Sequence, residues 1–86
     1  MHTVYALEQA IELAEKMGYR TREEWLGGTG GGACEFNGQK WIFIDLALNV
    51  FERLQQVSNV LRNDPSWPLY DAPAPIRKLL DGRLAG

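Results

Sequence analysis

The sequence predicts a small α+β domain in which two amphipathic helices pack on a small, mainly antiparallel sheet, in the order helix, strand, hairpin, helix. Three observations carry that prediction. Apolar residues recur at spacings of three and four over residues 4–17 and again over 49–62, Asn37-Gly38 separates two β-prone runs, and five glycines crowd into residues 27–32. With 86 residues the chain makes one domain with a thin core, because a domain of this size removes only about 60–65% of its unfolded surface from water. Its 45% hydrophobic and 23% charged residues place it among chains that fold.

Val4, Leu7, Ile11, Ala14 and Met17 fall on one side of the first helix, and Glu8, Glu12, Glu15 and Lys16 on the other. Thr3 is the expected N-cap and Gly18 the expected C-cap. Residues 19–26 mix Tyr, Thr, Trp and Leu with charges, the pattern of a half-exposed strand. Asn37-Gly38 readily takes the positive φ angles of a type I′ turn, so residues 33–36 and 39–46 form a β-hairpin. Trp41, Ile42, Phe43 and Ile44 are apolar on both faces, which makes 39–46 the central strand. Each face then needs a cover: the helices on one side, and on the other either residues 67–70 or a second subunit.

Val50, Leu54, Val57 and Leu61, widened by Phe51, form the stripe of a second helix over 49–62, capped by Asn49 or Asp45 and ended by Asn63-Asp64-Pro65. Pro65, Pro68, Pro73 and Pro75 exclude regular helix or central strand from 64 to 75. Residues 76–84 make one or two helical turns with Ile76, Leu79 and Leu80 on one side. The chain therefore divides into a compact part, residues 1–63, and a proline-rich arm with a short helical segment, residues 64–86, that packs on it.

Net charge is −2 and the basic residues are scattered, so no patch suited to nucleic-acid phosphates is expected. Glu8, Glu12 and Glu15 exclude a secretory signal, and no apolar run approaches the roughly 20 residues of a membrane span. No membrane partner is expected, and a cytoplasmic location is. The single cysteine, Cys34, agrees with it.

Gly28-Thr29-Gly30-Gly31-Gly32-Ala33 fits G-x-G-x-x-G/A, but a strand follows where the dinucleotide fingerprint needs a helix N-terminus. Gly27 to Cys34 also begins like a phosphate-binding loop, yet Ala33 and Cys34 stand where lysine and serine or threonine belong. No nucleotide and no other cofactor is expected. Successive amides can still form an anion nest, which makes Gly28, Thr29, Gly30, Gly31, Gly32 and Cys34 the candidate ligand site. The plainer reading is a tight connection between two strands. A reactive Cys34 would need a basic partner, and the one histidine is His2 at the chain's start. One histidine and one cysteine cannot close a zinc site, and no acidic spacing resembles a calcium loop. Glu23 and Glu24 point to opposite faces of a strand, so no catalytic pair is assigned.

Pro65-Ser66-Trp67-Pro68 spells P-x-x-P, read more simply as aromatic residues packing back on the domain. Trp41, Phe43, Trp67 and Tyr70 are the candidate interaction residues. The expected function is a non-enzymatic protein-interaction or regulatory module, with a protein partner or a second copy as ligand. The alternative is a small ligand-binding or thiol-dependent protein centred on residues 28–34.

Residues 24–45 read E-W-L-G-G-T-G-G-G-A-C-E-F-N-G-Q-K-W-I-F-I-D. That stretch resembles a family of small uncharacterised bacterial proteins with the pattern E-W-L-G-G-x-G-G-G-x-C-E-x-x-G-x-K-W-x-F-x-D, a resemblance that brings no activity with it. A hairpin feeding a helix is also distantly similar to minimal zincin-like metallopeptidases. Their helix carries H-E-x-x-H, and the corresponding Leu54-Gln55-Gln56-Val57-Ser58 has neither residue type, so peptidase chemistry is not implied.

Overall fold

Alternating polarity and helical periodicity give three strands and three helices in the structure, a computed structural model that describes residues 3–28 and 31–81. In chain order these are α1 (Thr3–Lys16), β1 (Tyr19–Glu24), β2 (Gly32–Phe36), β3 (Gln39–Asp45), α2 (Val50–Arg62), a 3-10 turn (Trp67–Leu69) and α3 (Ala74–Asp81). The predicted α+β class and element order are those observed. Thr3, expected as a cap, is already the first residue of α1, whose buried side is Leu7, Ala10, Leu13 and Ala14. The hairpin forms as predicted, with Asn37 at φ 52° and Gly38 at φ 76°.

The sheet is mixed, with strand order β1-β3-β2. β2 pairs antiparallel with β3 across the hairpin, Cys34 opposite Trp41. β1 pairs with β3 in parallel, Tyr19 opposite Lys40 and Glu24 opposite Asp45. A parallel neighbour needs a long return connection. Here residues 25–38 supply it by running out to the far edge as β2. The chain leaving β1 must therefore cross the end of β3, about 10 Å at the usual strand spacing. The described residues Gly27, Gly28, Gly31 and Gly32 lie along that crossing, each with positive φ.

Ile42 and Ile44 of β3 and Tyr19 of β1 are buried against the helices, together with Leu54, Val57 and Leu61 of α2. α2 starts on a capping box: the Asn49 side chain accepts the Glu52 amide at 2.8 Å, and the Glu52 carboxylate accepts the Asn49 amide at 3.0 Å. Of the two expected caps only Asn49 serves.

The proline-rich arm holds more helix than its prolines suggest. α3 begins at Ala74, two residues earlier than expected, because Pro75 sits in the first turn, where a missing amide proton breaks no helical bond. Ala72, Ile76 and Leu80 are buried in the same core as α1 and α2. Asp64 ties the start of the arm to the sheet: its carboxylate accepts from the Tyr19 hydroxyl at 2.8 Å and faces the Lys40 ammonium at 3.3 Å.

Candidate functional site

Side chains on paired strands point the same way at opposite positions, so the register fixes what the sheet shows on the side away from the helices. That outer face carries Arg20, Arg22 and Glu24 from β1, Gln39, Trp41 and Phe43 from β3, and Gly32, Cys34 and Phe36 from β2. The Trp41 and Phe43 rings lie parallel, tilted by 4° with centroids 6.0 Å apart. The Arg20 guanidinium sits 5.8 Å from the Trp41 ring centre, and Arg22 pairs with Glu24. Phe36 is 67% exposed. A shallow apolar groove of about 290 Å³ runs between Arg22, Cys34, Phe36, Trp41 and Phe43.

The candidate interaction residues separate into two places. Trp41 and Phe43 share the outer face. Trp67 and Tyr70 pack against the core on the helical side, where the Arg77 guanidinium lies 5.6 Å from the Trp67 ring centre. The expectation that residues 67–70 cover the outer face is thus corrected: the arm is drawn to the helical layer by Ala72, Ile76 and Leu80. P-x-x-P is likewise folded into the 3-10 turn and is no extended ligand strand.

The glycine crossing is built around Asp45, fully buried at 0% exposure. Its carboxylate accepts the amides of Leu26 at 2.9 Å, Gly28 at 2.6 Å and Ala47 at 2.9 Å, and its own amide donates to the Gln56 side chain at 3.1 Å. Burial pushes this carboxyl up, but the amides of Ala47, Leu26 and Gly28 together with the Arg53 charge outweigh it and hold it below the usual carboxylate range. Sequence reasoning took Asp45 for a helix cap. The missed signal was an acid closing an apolar strand beside a run of glycine amides, since a buried carboxylate needs several donors.

Of the candidate ligand residues, Gly28 is thus engaged by Asp45, and Thr29 and Gly30 lie outside the described residues. Gly31 passes so close to β3 and α2 that a Cβ there would lie 2.8 Å from the Phe43 carbonyl oxygen and collide with the Gln56 side chain. Gly31, Gly32 and Cys34 do come together, lining a groove of about 490 Å³ with Arg22, Glu24, Leu26 and Phe43. Cys34 is a free, exposed thiol. His2, the partner a reactive thiol would need, lies outside the described residues.

Among the described residues no group of three or more His, Cys, Asp and Glu side chains is placed to hold a metal ion, and no helix is long and apolar enough to cross a membrane. Compared with family models, with curated proteins and with solved structures, the chain matches none.

Proposed function

We propose that the protein is a non-enzymatic interaction module whose working surface is the outer face of its sheet. One observation carries the reading: Trp41 and Phe43 stack in parallel at the centre of a sheet face that none of the three helices occupies. Both rings are half-buried, and aromatic rings held rigidly in this way lose little conformational entropy on contact and contribute strongly to protein interfaces. Arg20 and Arg22 along one side and Phe36 along the other give the surface a charged rim and an apolar middle. The groove at Cys34 supports a second reading, a small-ligand or thiol-dependent site bounded by Gly31, Gly32 and Arg22.

Selection of a displayed random peptide library on the folded chain separates the two. On the first reading the selected peptides lose binding by tenfold or more to Trp41→Ser and Phe43→Ser variants that keep the wild-type circular dichroism, and keep it with Cys34→Ser. Binders lost only with Cys34→Ser would transfer the function to the thiol groove. Selected binders indifferent to both aromatic substitutions would reject the surface.

A further inference from the structure

The two edges of the sheet differ. β1, at one edge, reads Y-R-T-R-E-E and carries four charges, the usual protection against pairing with another strand. β2, at the other edge, reads G-A-C-E-F, with one charge and neither proline nor lysine, and its side chains are largely exposed. Hydrogen-bond phase shows what this open edge offers. A two-residue hairpin makes Phe36 and Gln39 a hydrogen-bonded pair, and alternation along the ladder makes Cys34/Trp41 and Gly32/Phe43 such pairs as well. The amides and carbonyls of Ala33 and Glu35 therefore point away from β3, towards the open side.

We infer that β2 pairs antiparallel with β2 of a second copy about a two-fold axis at Cys34, joining two three-stranded sheets into one of six strands. This rests on the interaction-module reading and doubles its sheet surface. The register is self-consistent. Cys34 meets Cys34 of the other copy as a non-hydrogen-bonded pair, and Ala33 meets Glu35 of the other copy as a hydrogen-bonded pair, using all four outward groups on each strand. Phe36 falls opposite the other copy's Gly32, which leaves its ring room to lie across that glycine towards Phe43, its neighbour on the next strand. The exposed Phe36 is covered in this way, and the two aromatic faces merge into one band.

Charge fits as well. On the helical side, the incoming Glu35 lies opposite Ala33, whose small side chain shares a groove of about 380 Å³ with Asn59, Val60, Asn63 and Asp64. The carboxamides of Asn59 and Asn63 offer donors to the incoming carboxylate, beside the Arg62 guanidinium, which is bonded to Asn59 and to the Leu79 carbonyl. The groove's own carboxylate, Asp64, is already engaged by Lys40, Tyr19 and Ser66. No like charges stand directly opposite one another in this register.

Light scattering on the full chain tests it, with twice the chain mass expected at tens of micromolar. Ala33→Pro removes an outward amide, and Glu35→Lys places a guard on the edge. Each is expected to raise the dimer dissociation constant at least tenfold. Non-hydrogen-bonded partners sit about 4.5 Å apart at Cα, within disulfide reach. Diamide should then link the two Cys34 thiols, which lose two protons and two electrons to its N=N bond, giving a covalent dimer in the wild type and none in Cys34→Ser. Because Ala33→Pro can fail to fold, Glu35→Lys and the crosslink stand on their own. A monomer at 200 µM that diamide does not crosslink would overturn the dimer. So would a dimer that keeps its affinity in Glu35→Lys and resists crosslinking. A monomer that still selects peptides through Trp41 removes only this partner, whereas a monomer that selects none removes the interaction reading with it.

Discussion

The Gly28 amide donates to the Asp45 carboxylate at 2.6 Å, so the loop that reads as an anion nest holds an anion supplied by the central strand. Leu26 and Ala47 donate to the same group, and the Arg53 guanidinium nearby donates to the Leu46 and Leu48 carbonyls. The strand end, the glycine crossing and the start of α2 are thereby fastened at one buried charge. Asp45→Asn substitutes an amide donor for one acceptor oxygen and leaves buried N–H groups unmatched. It is expected to lower stability more than Asn49→Ala, an exposed cap deletion worth about 1 kcal/mol. Urea denaturation of the two variants ranks them, and equal losses would mean that the carboxylate is not what holds the crossing.

Asp64 carries the acid sensitivity of the other junction. The Ser66 amide above all, with the Tyr19 and Ser66 hydroxyls and Lys40, outweighs burial and lowers its carboxyl from 3.8 to about 2. A carboxyl depressed in the folded state contributes stability above its unfolded value, and that contribution fades as pH falls from about 4 through about 2. Burial and the Asp64 partner raise Tyr19 from 10.0 to about 12, so its share is intact below pH 10 and fades as pH climbs through 12. Replacing Asp64 by Asn should remove up to about 2 kcal/mol at pH 7 and almost nothing near pH 2. Denaturant titrations of both proteins at pH 7, 4 and 2 check it; parallel acid limbs would relieve Asp64 of the role.

What local chemistry decides was legible in the sequence. The helices α1 and α2 and the Asn37-Gly38 turn each depend on neighbours a few residues away and formed where expected, but Val4 and Phe51, assigned to the apolar stripes, lie exposed at the helix starts. The parallel pairing of β1 was not legible, because Tyr19 meeting Lys40 depends on where β2 goes and not on any residue of β1. Of the site, Trp41 and Phe43 were readable as the surplus apolar side of a central strand. Trp67 looked equivalent to them as an aromatic, and only burial of Ile76 and Leu80 beside it decides that it serves the core. Asp45 was misread for a related reason: a cap and a latch present the same carboxylate, and the donors that distinguish them come from residues 26 and 28, far back in the chain.

Gly31 and Gly27 both have positive φ, yet their substitutions should differ. At Gly27, φ 76°, an added Cβ meets nothing within 4 Å, and only the backbone preference is lost, about 1 kcal/mol. At Gly31, φ 96°, the same atom presses on the Phe43 carbonyl oxygen, which is backbone and cannot swing aside. Gly31→Ala is expected to lose about 2 kcal/mol more than Gly27→Ala, and to broaden the amide resonances of Phe43 and Gln56 in nuclear magnetic resonance spectra. Comparable melting temperatures for the two variants would contradict the close approach.

Ser58 offers a change in the opposite direction. It lies in the middle of α2, is buried, and its hydroxyl finds no hydrogen-bond partner among the described residues. A buried hydroxyl left without a partner destabilises the folded state by about 1–3 kcal/mol, and alanine is the stronger helix former. Ser58→Ala is therefore expected to raise stability by about 1 kcal/mol, which in a domain of this size moves the melting temperature up by about 4–8 °C. Val57, the adjacent buried residue, is the control: Val57→Ala deletes apolar volume from the core and should lower stability by about 2 kcal/mol. Calorimetry on the pair distinguishes the accounts, because a hydroxyl that carries a bond in solution would make both substitutions destabilising.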